Sequence, residues 1–350
     1  MTGNSFVKKW IGSVVTMAIV VTLTACGEVE ENTSLATKLI QELDYRGALT
    51  ELDKALEAGE NERVVERSRG IAYMGLTEYE NAIEAFRLSL DGSDGMLQDI
   101  DFDTNYYLAA AYTKNGQYSE AEDAYNAILD LRSGEKDAYF LRGNVRMHLE
   151  KFEAAIEDFD RVISMEPKNY DRLFAIYEVL EYFGYREVGQ EYLQKAMTDD
   201  PKMTQDVIGR IYYYLGEYQK ACLALEEAKS KGDSKSYLFL GRAYEATGDF
   251  NYAASVYRSY LSKNEGDAQM LNQLGLCEMA RGEYQKALEA FQTGKQLGDT
   301  GMLQTLSFNE IVAYEYLGNF EQAHQLMEAY HRNYPDDEGA RREYDFLSTR

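Results

Sequence analysis

The chain has 350 residues, and its 60 Asp and Glu outweigh 36 Lys and Arg to give a formal net charge of −24. A surface this acidic repels phosphate backbones and anionic headgroups, which argues against nucleic-acid binding and against attachment to lipid by charge. Hydrophobic residues make up 45%, enough for a buried core, while three Cys cannot supply a disulfide framework.

Residues 1–25 stand apart from the rest. Lys8 and Lys9 precede an uncharged apolar run from Ile11 to Ala25. This is the form of a secretory signal, and it falls short of the about 20 residues of a typical spanning helix. The run ends in Leu23-Thr24-Ala25-Cys26-Gly27, which resembles the bacterial lipobox. The resemblance implies a lipoprotein signal peptide over 1–25, cleaved before Cys26, with a diacylglyceryl thioether on the Cys26 sulfur. The protein is then exported and anchored by lipid to the outer leaflet of the cytoplasmic membrane, or to the outer membrane of an organism that has one. Two acyl chains anchor stably where one binds only marginally.

From about Val29 the chain repeats itself. An Ala or Gly recurs at 48, 82, 121, 155, 189, 221, 253, 287 and 323, at intervals of 32 to 39 residues. A period of this size marks a stacked helical array. An aromatic stands three residues earlier (Tyr45, Tyr79, Tyr118, Phe152, Tyr218, Phe250, Tyr284 and Phe320), with Arg186 in the fifth copy. A large apolar residue follows four later, from Leu52 and Phe86 to Phe291 and Met327. Spacings of three and four define one helix face. Twelve residues upstream lies a second small position, on a preceding helix: Ala36, Gly70, Ala109, Gly143, Gly209, Gly241 and Gly275, with Tyr177 and Ile311 departing from it. Between the two helices Gly116, Gly184, Gly216, Gly248, Gly282 and Gly318 supply the left-handed residue that ends the first. Pro167, Pro201 and Pro335 each close a repeat, since Pro cannot continue a helix.

The combination resembles the tetratricopeptide repeat. The fourth copy carries it most fully, with Tyr139 to Gly143, Phe152 to Phe159 and Pro167. The resemblance implies an all-α, right-handed superhelical solenoid of about nine helix pairs over residues 26–335, the first and fifth degenerate. A lone repeat cannot cover its own apolar stripe. Residues 336–350 are therefore read as a capping helix and tail, with Tyr344, Phe346 and Leu347 on the apolar side. Two inter-repeat joints are longer than the rest, and Gly95-Met96-Leu97-Gln98 matches Gly301-Met302-Leu303-Gln304. The acids near the first do not fit calcium-loop spacing.

No catalytic or metal pattern emerges. His148, His324 and His331 lack metal spacing, Cys222 and Cys277 read as buried apolar residues, and no cofactor motif is present. The expectation is a non-enzymatic binder. In the tetratricopeptide family the first helices line the concave wall, which implies a partner site among their middle members. The candidates are Tyr106, Phe140, Asn144, Met147, His148, Glu178, Glu181, Tyr182, Arg210, Tyr213, Tyr214, Arg242, Glu245 and Asn272. Aromatics and Arg are typical interface anchors. Pairing between adjacent repeats, Glu178 with Arg210 and Arg242 with Glu245, is the alternative use of those charges. Two functions remain open: a lipid-anchored envelope scaffold for a protein or peptide partner with a basic patch, and a capture module for cell-wall glycan or extracellular polymer.

Overall fold

A computed structural model describes residues 31–93, 98–229, 234–334 and 337–348. The apolar leader, Cys26, Gly95-Met96-Leu97 and Pro335 lie outside the described residues. Within these residues every regular element is a helix. They come in nine pairs: α1 (Glu31–Gln41) and α2 (Tyr45–Glu57); α3 (Glu62–Gly75) and α4 (Tyr79–Asp91); α5 (Asp99–Lys114) and α6 (Tyr118–Leu131); α7 (Lys136–His148) and α8 (Phe152–Met165); α9 (Tyr170–Tyr182) and α10 (Arg186–Asp199); α11 (Gln205–Tyr214) and α12 (Tyr218–Lys229); α13 (Ser234–Ala246) and α14 (Phe250–Leu261); α15 (Ala268–Ala280) and α16 (Tyr284–Gln296); α17 (Thr300–Tyr316) and α18 (Phe320–Asn333). A final helix, α19 (Glu338–Leu347), follows them. The all-α pattern of about nine pairs and a terminal cap is therefore present.

One device makes every intra-pair turn. The residue two before the start of each second helix has positive φ, and the next N–H donates back to a carbonyl five residues earlier at 2.8–2.9 Å, as Gln117 does to Tyr112. This is the Schellman closure of the first helix. All six predicted Gly adopt it, at φ from 75° to 87°. In the three copies without Gly the same conformation falls on Leu43 (64°), Thr77 (61°) and Glu150 (58°).

The two small positions and the large apolar position are parts of one contact. A Cβ added to Gly70, Gly143, Gly209, Gly241 or Gly275 would come within 2.2–2.6 Å of Phe86, Phe159, Leu225, Tyr257 or Phe291 respectively. Each Gly on a first helix is thus the socket for a large side chain on the second. The fifth pair inverts the sizes. Tyr177 fills the first helix, and a Cβ on Gly189 of α10 would lie 2.8 Å from its ring. What looked like degeneracy is a compensated exchange.

The described helices divide into two compact units, 31–189 and 190–348, and the division falls inside α10 of that same inverted pair. In the N-terminal unit α1 packs on α3 and α3 on α5, and one apolar cluster runs from Ala82 of α4 through Tyr125 of α6 to Val145 of α7. In the C-terminal unit α11 packs on α13 and α15 on α17, with a cluster from Ala221 of α12 to Cys277 of α15. Both clusters are shared between neighbouring pairs, as a repeat that cannot close its own core requires. At the end, Ala340 and Leu347 of α19 join Ile311, Ala323, Met327 and Tyr330.

Candidate functional site

In the N-terminal unit the first helices are tied together by charge. Arg63 of α3 pairs with Asp101 of α5, Arg67 with Asp103, and Arg172 of α9 with Asp137 of α7. Between these layers, Arg142 grips Asp158 through Nε (3.0 Å) and Nη2 (2.6 Å) and donates to Asn126. Arg146 reaches both Glu122 (2.8 Å) and Asp158 (2.9 Å), while Lys151 closes on Glu122 at 2.5 Å. Mostly buried charges with several partners each are held rigidly, as Arg142, Arg146, Glu122 and Asp158 are here.

The predicted site residues of this unit divide between packing and surface. Phe140 is 5% exposed and Met147 4%, so both belong to the packed interior and not to an open wall. The Phe140 ring lies against Phe159 with the Arg172 guanidinium 4.5 Å above it. Tyr106 is half-buried between Phe102 and Tyr125. Glu181 accepts from the Tyr177 hydroxyl at 3.1 Å and pairs with Arg186 at 3.4 Å. Asn144 and Glu178 are half-buried. His148 stacks on Tyr118 at 4.2 Å and meets Phe183 edge-on at 4.8 Å, and burial pulls its pKa down. Phe183 in turn meets Tyr182, and Phe152 stacks on Tyr185 at 4.1 Å. The aromatics at the starts of second helices are therefore staples to the following pair as well as members of their own stripe.

In the C-terminal unit several candidates converge on one residue that the sequence reading missed. Phe239 of α13 sits beneath the guanidinium groups of Arg210 (5.1 Å) and Arg242 (5.7 Å). The rings of Tyr213 and Tyr214 meet it at 5.4 and 5.6 Å, and Tyr218 backs Tyr213. Its register was available: Phe239 stands two before Gly241, as Tyr107 stands two before Ala109, and Tyr107 likewise carries a guanidinium, that of Arg67, at 5.5 Å. Tyr213, Tyr214 and Arg242 remain half-exposed around this centre. Arg210 does not project freely, because it is 7% exposed and lies 3.7 Å from Asp206. Asn272 is 2% exposed and accepts from Asn309 of α17 at 2.8 Å, so it ties two first helices together. The next pair helps to cover three of these four buried residues, through Arg172 over Phe140, Phe239 under Arg210 and Asn309 on Asn272.

Arg242 also faces Glu245. Burial pushes the Glu245 carboxyl up, against the opposing pull of the Tyr257 hydroxyl, the Arg242 charge and the Cys277 thiol. The Arg242 charge thus offsets part of the cost of burying that carboxyl. Cys277 itself, 1% exposed, is pushed up to about 12 by burial and the Glu245 charge, which keeps it a thiol rather than a nucleophile. The arrangement holds aromatic and cationic groups at fixed positions, as recognition requires.

The sequence profile of the tetratricopeptide repeat family matches residues 106–170 and 238–300. Among known proteins, the Protein CTR9 homolog of Arabidopsis thaliana is 25% identical over 238 residues, 65% of this chain and 19% of that protein. A TPR repeat-containing protein of Methanocaldococcus jannaschii is 25% identical over 174 residues, 48% of this chain and 29% of that one. The chain thus spans less than a third of the length of either relative. A tetratricopeptide repeat protein from Parabacteroides merdae superposes with a TM-score of 0.47 at 16% identity, covering 79% of this chain and 96% of that one.

Proposed function

Taking the chain as one built of tetratricopeptide repeats, we propose that it is a lipid-anchored scaffold of the cell envelope that binds a protein or peptide partner. The observation that carries this reading is the cluster at Phe239, where Tyr213, Tyr214 and Arg242 stay half-exposed on a braced support. Tyr and Arg are the residues that most often anchor interfaces, and rigid anchors lose little entropy on binding. The anchor half of the proposal comes from Cys26 and the apolar run before it. None of the described helices is long and apolar enough to cross a membrane, and a lipid on Cys26 would supply the attachment.

The test is capture of partners from detergent-solubilised envelopes by the lipidated protein, with mass spectrometry of what copurifies. Tyr214→Ala with Arg242→Gln should deplete the captured protein, each anchor contributing about 2 kcal/mol, while the melting curve holds. Undiminished capture by that variant would remove Phe239 and its neighbours from the interface. Arg210 is excluded from the test because its burial makes any change there a folding defect.

A further inference from the structure

We infer that the turn edge of the third to fifth pairs is a separate docking surface, which takes a partner segment carrying Lys or Arg side chains. It lies wholly in the N-terminal unit and does not depend on the cluster at Phe239. Tyr182 and Tyr185 flank the Gly184 turn and are 41% and 39% exposed. Neither ring is loose. Tyr185 lies within 22° of parallel to Phe152 at 4.1 Å, and Tyr182 is met edge-on by Phe183, which His148 and Tyr118 back in turn. Rings held this way present area to a ligand without first having to be ordered.

The border of this aromatic face is anionic. Glu150, Glu153 and Glu187 are all exposed at the same turns. The nearby bases are engaged elsewhere, Lys151 with Glu122 and Arg186 with Glu181. A ring face attracts an ammonium or guanidinium within about 6 Å of its centroid. The surrounding carboxylates add Coulomb attraction for the same cation, and a guanidinium can also stack flat. A neutral glycan would use the rings but not the carboxylates, and an anionic polymer would be repelled by them. The two features together select a basic peptide.

The probe is a fluorescein-labelled hexapeptide of alternating Arg and Gly, titrated with the full-length protein in detergent and followed by anisotropy. Tyr182→Ala with Tyr185→Ala should weaken binding roughly tenfold. Glu150→Gln with Glu153→Gln and Glu187→Gln should weaken it comparably and flatten its salt dependence. The triple Gln variant changes only exposed side chains, so it tests the surface even if the Tyr variant melts early. The control is Glu80→Gln with Glu84→Gln and Asp91→Asn, equally exposed acids on α4, which should bind as the parent does. Equal weakening by the control would mean diffuse attraction to an acidic protein and overturn the assignment. So would full binding by either edge variant, or displacement of the peptide by a neutral chitin hexasaccharide.

Discussion

The turn residues and the Gly sockets are where single side chains decide local stability. Leu43, Thr77 and Glu150 hold a conformation that costs an L-residue roughly 1–2 kcal/mol, and Thr77 is β-branched, the least tolerant kind. Thr77→Gly should raise stability by about 1 kcal/mol, read as a shifted midpoint in urea. The same change at Gly-bearing turns is already made, which is why Gly116→Ala should destabilise instead. At the sockets the sign is set by space. Gly241→Ala would drive a methyl to 2.2 Å from the Tyr257 ring, and a loss of about 1–3 kcal/mol is expected. Gly189→Ala should cost a comparable amount because the Tyr177 ring occupies that space. An unchanged melting temperature in either variant would mean the paired helices can part freely.

Between elements, charge and aromatic staples join one pair to the next. Arg146 is 15% exposed and bridges Glu122 on α6 to Asp158 on α8. Arg146→Ala leaves two mostly buried carboxylates short of a partner, and the expected loss is about 3 kcal/mol, measurable by thermal melting. The cap is expected to respond to pH. Glu315 of α17 has a buried Oε1, and its carboxyl is pushed from 4.5 up to about 8 by burial and by the Glu343 carboxylate of α19. A raised folded value means the folded state holds a proton that the unfolded state has lost. The stabilising effect is full below about pH 4.5 and disappears as pH rises to about 8. Hydrogen exchange in α19, slow at pH 5, should therefore quicken towards pH 8 beyond the intrinsic change. Glu315→Gln should abolish that excess. Its persistence in the variant would place the titrating group elsewhere.

On the scale of the whole chain, the proposed function assigns membrane attachment to a lipid on Cys26 and partner binding to the repeats. Cys26→Ser should release the protein from the membrane fraction or leave an unprocessed precursor, without altering the repeats, because Cys26 precedes the first repeat helix, α1, in the chain. Partition of the mature wild-type protein into the aqueous phase of a detergent separation would contradict the lipid anchor.

The sequence by itself determined the helical pairing, the turn positions and the terminal cap. These follow from short-range constraints: a helix face recurs every three or four residues, and a left-handed turn admits Gly most easily, so both are written within a dozen neighbouring positions. The candidate site was legible only in part. Tyr213, Tyr214 and Arg242 gather around Phe239, whose register matches Tyr107 but which no motif marked. Tertiary structure alone decided that Phe140, Met147, Arg210 and Asn272 are interior, that Tyr177 and Gly189 exchange sizes, and that Tyr182 and Tyr185 stand at an edge. Whether a first-helix side chain meets solvent depends on the pair stacked beside it, some 32 to 39 residues away. That distance exceeds the reach of helical periodicity, so only packing between repeats settles which side chains remain for a partner.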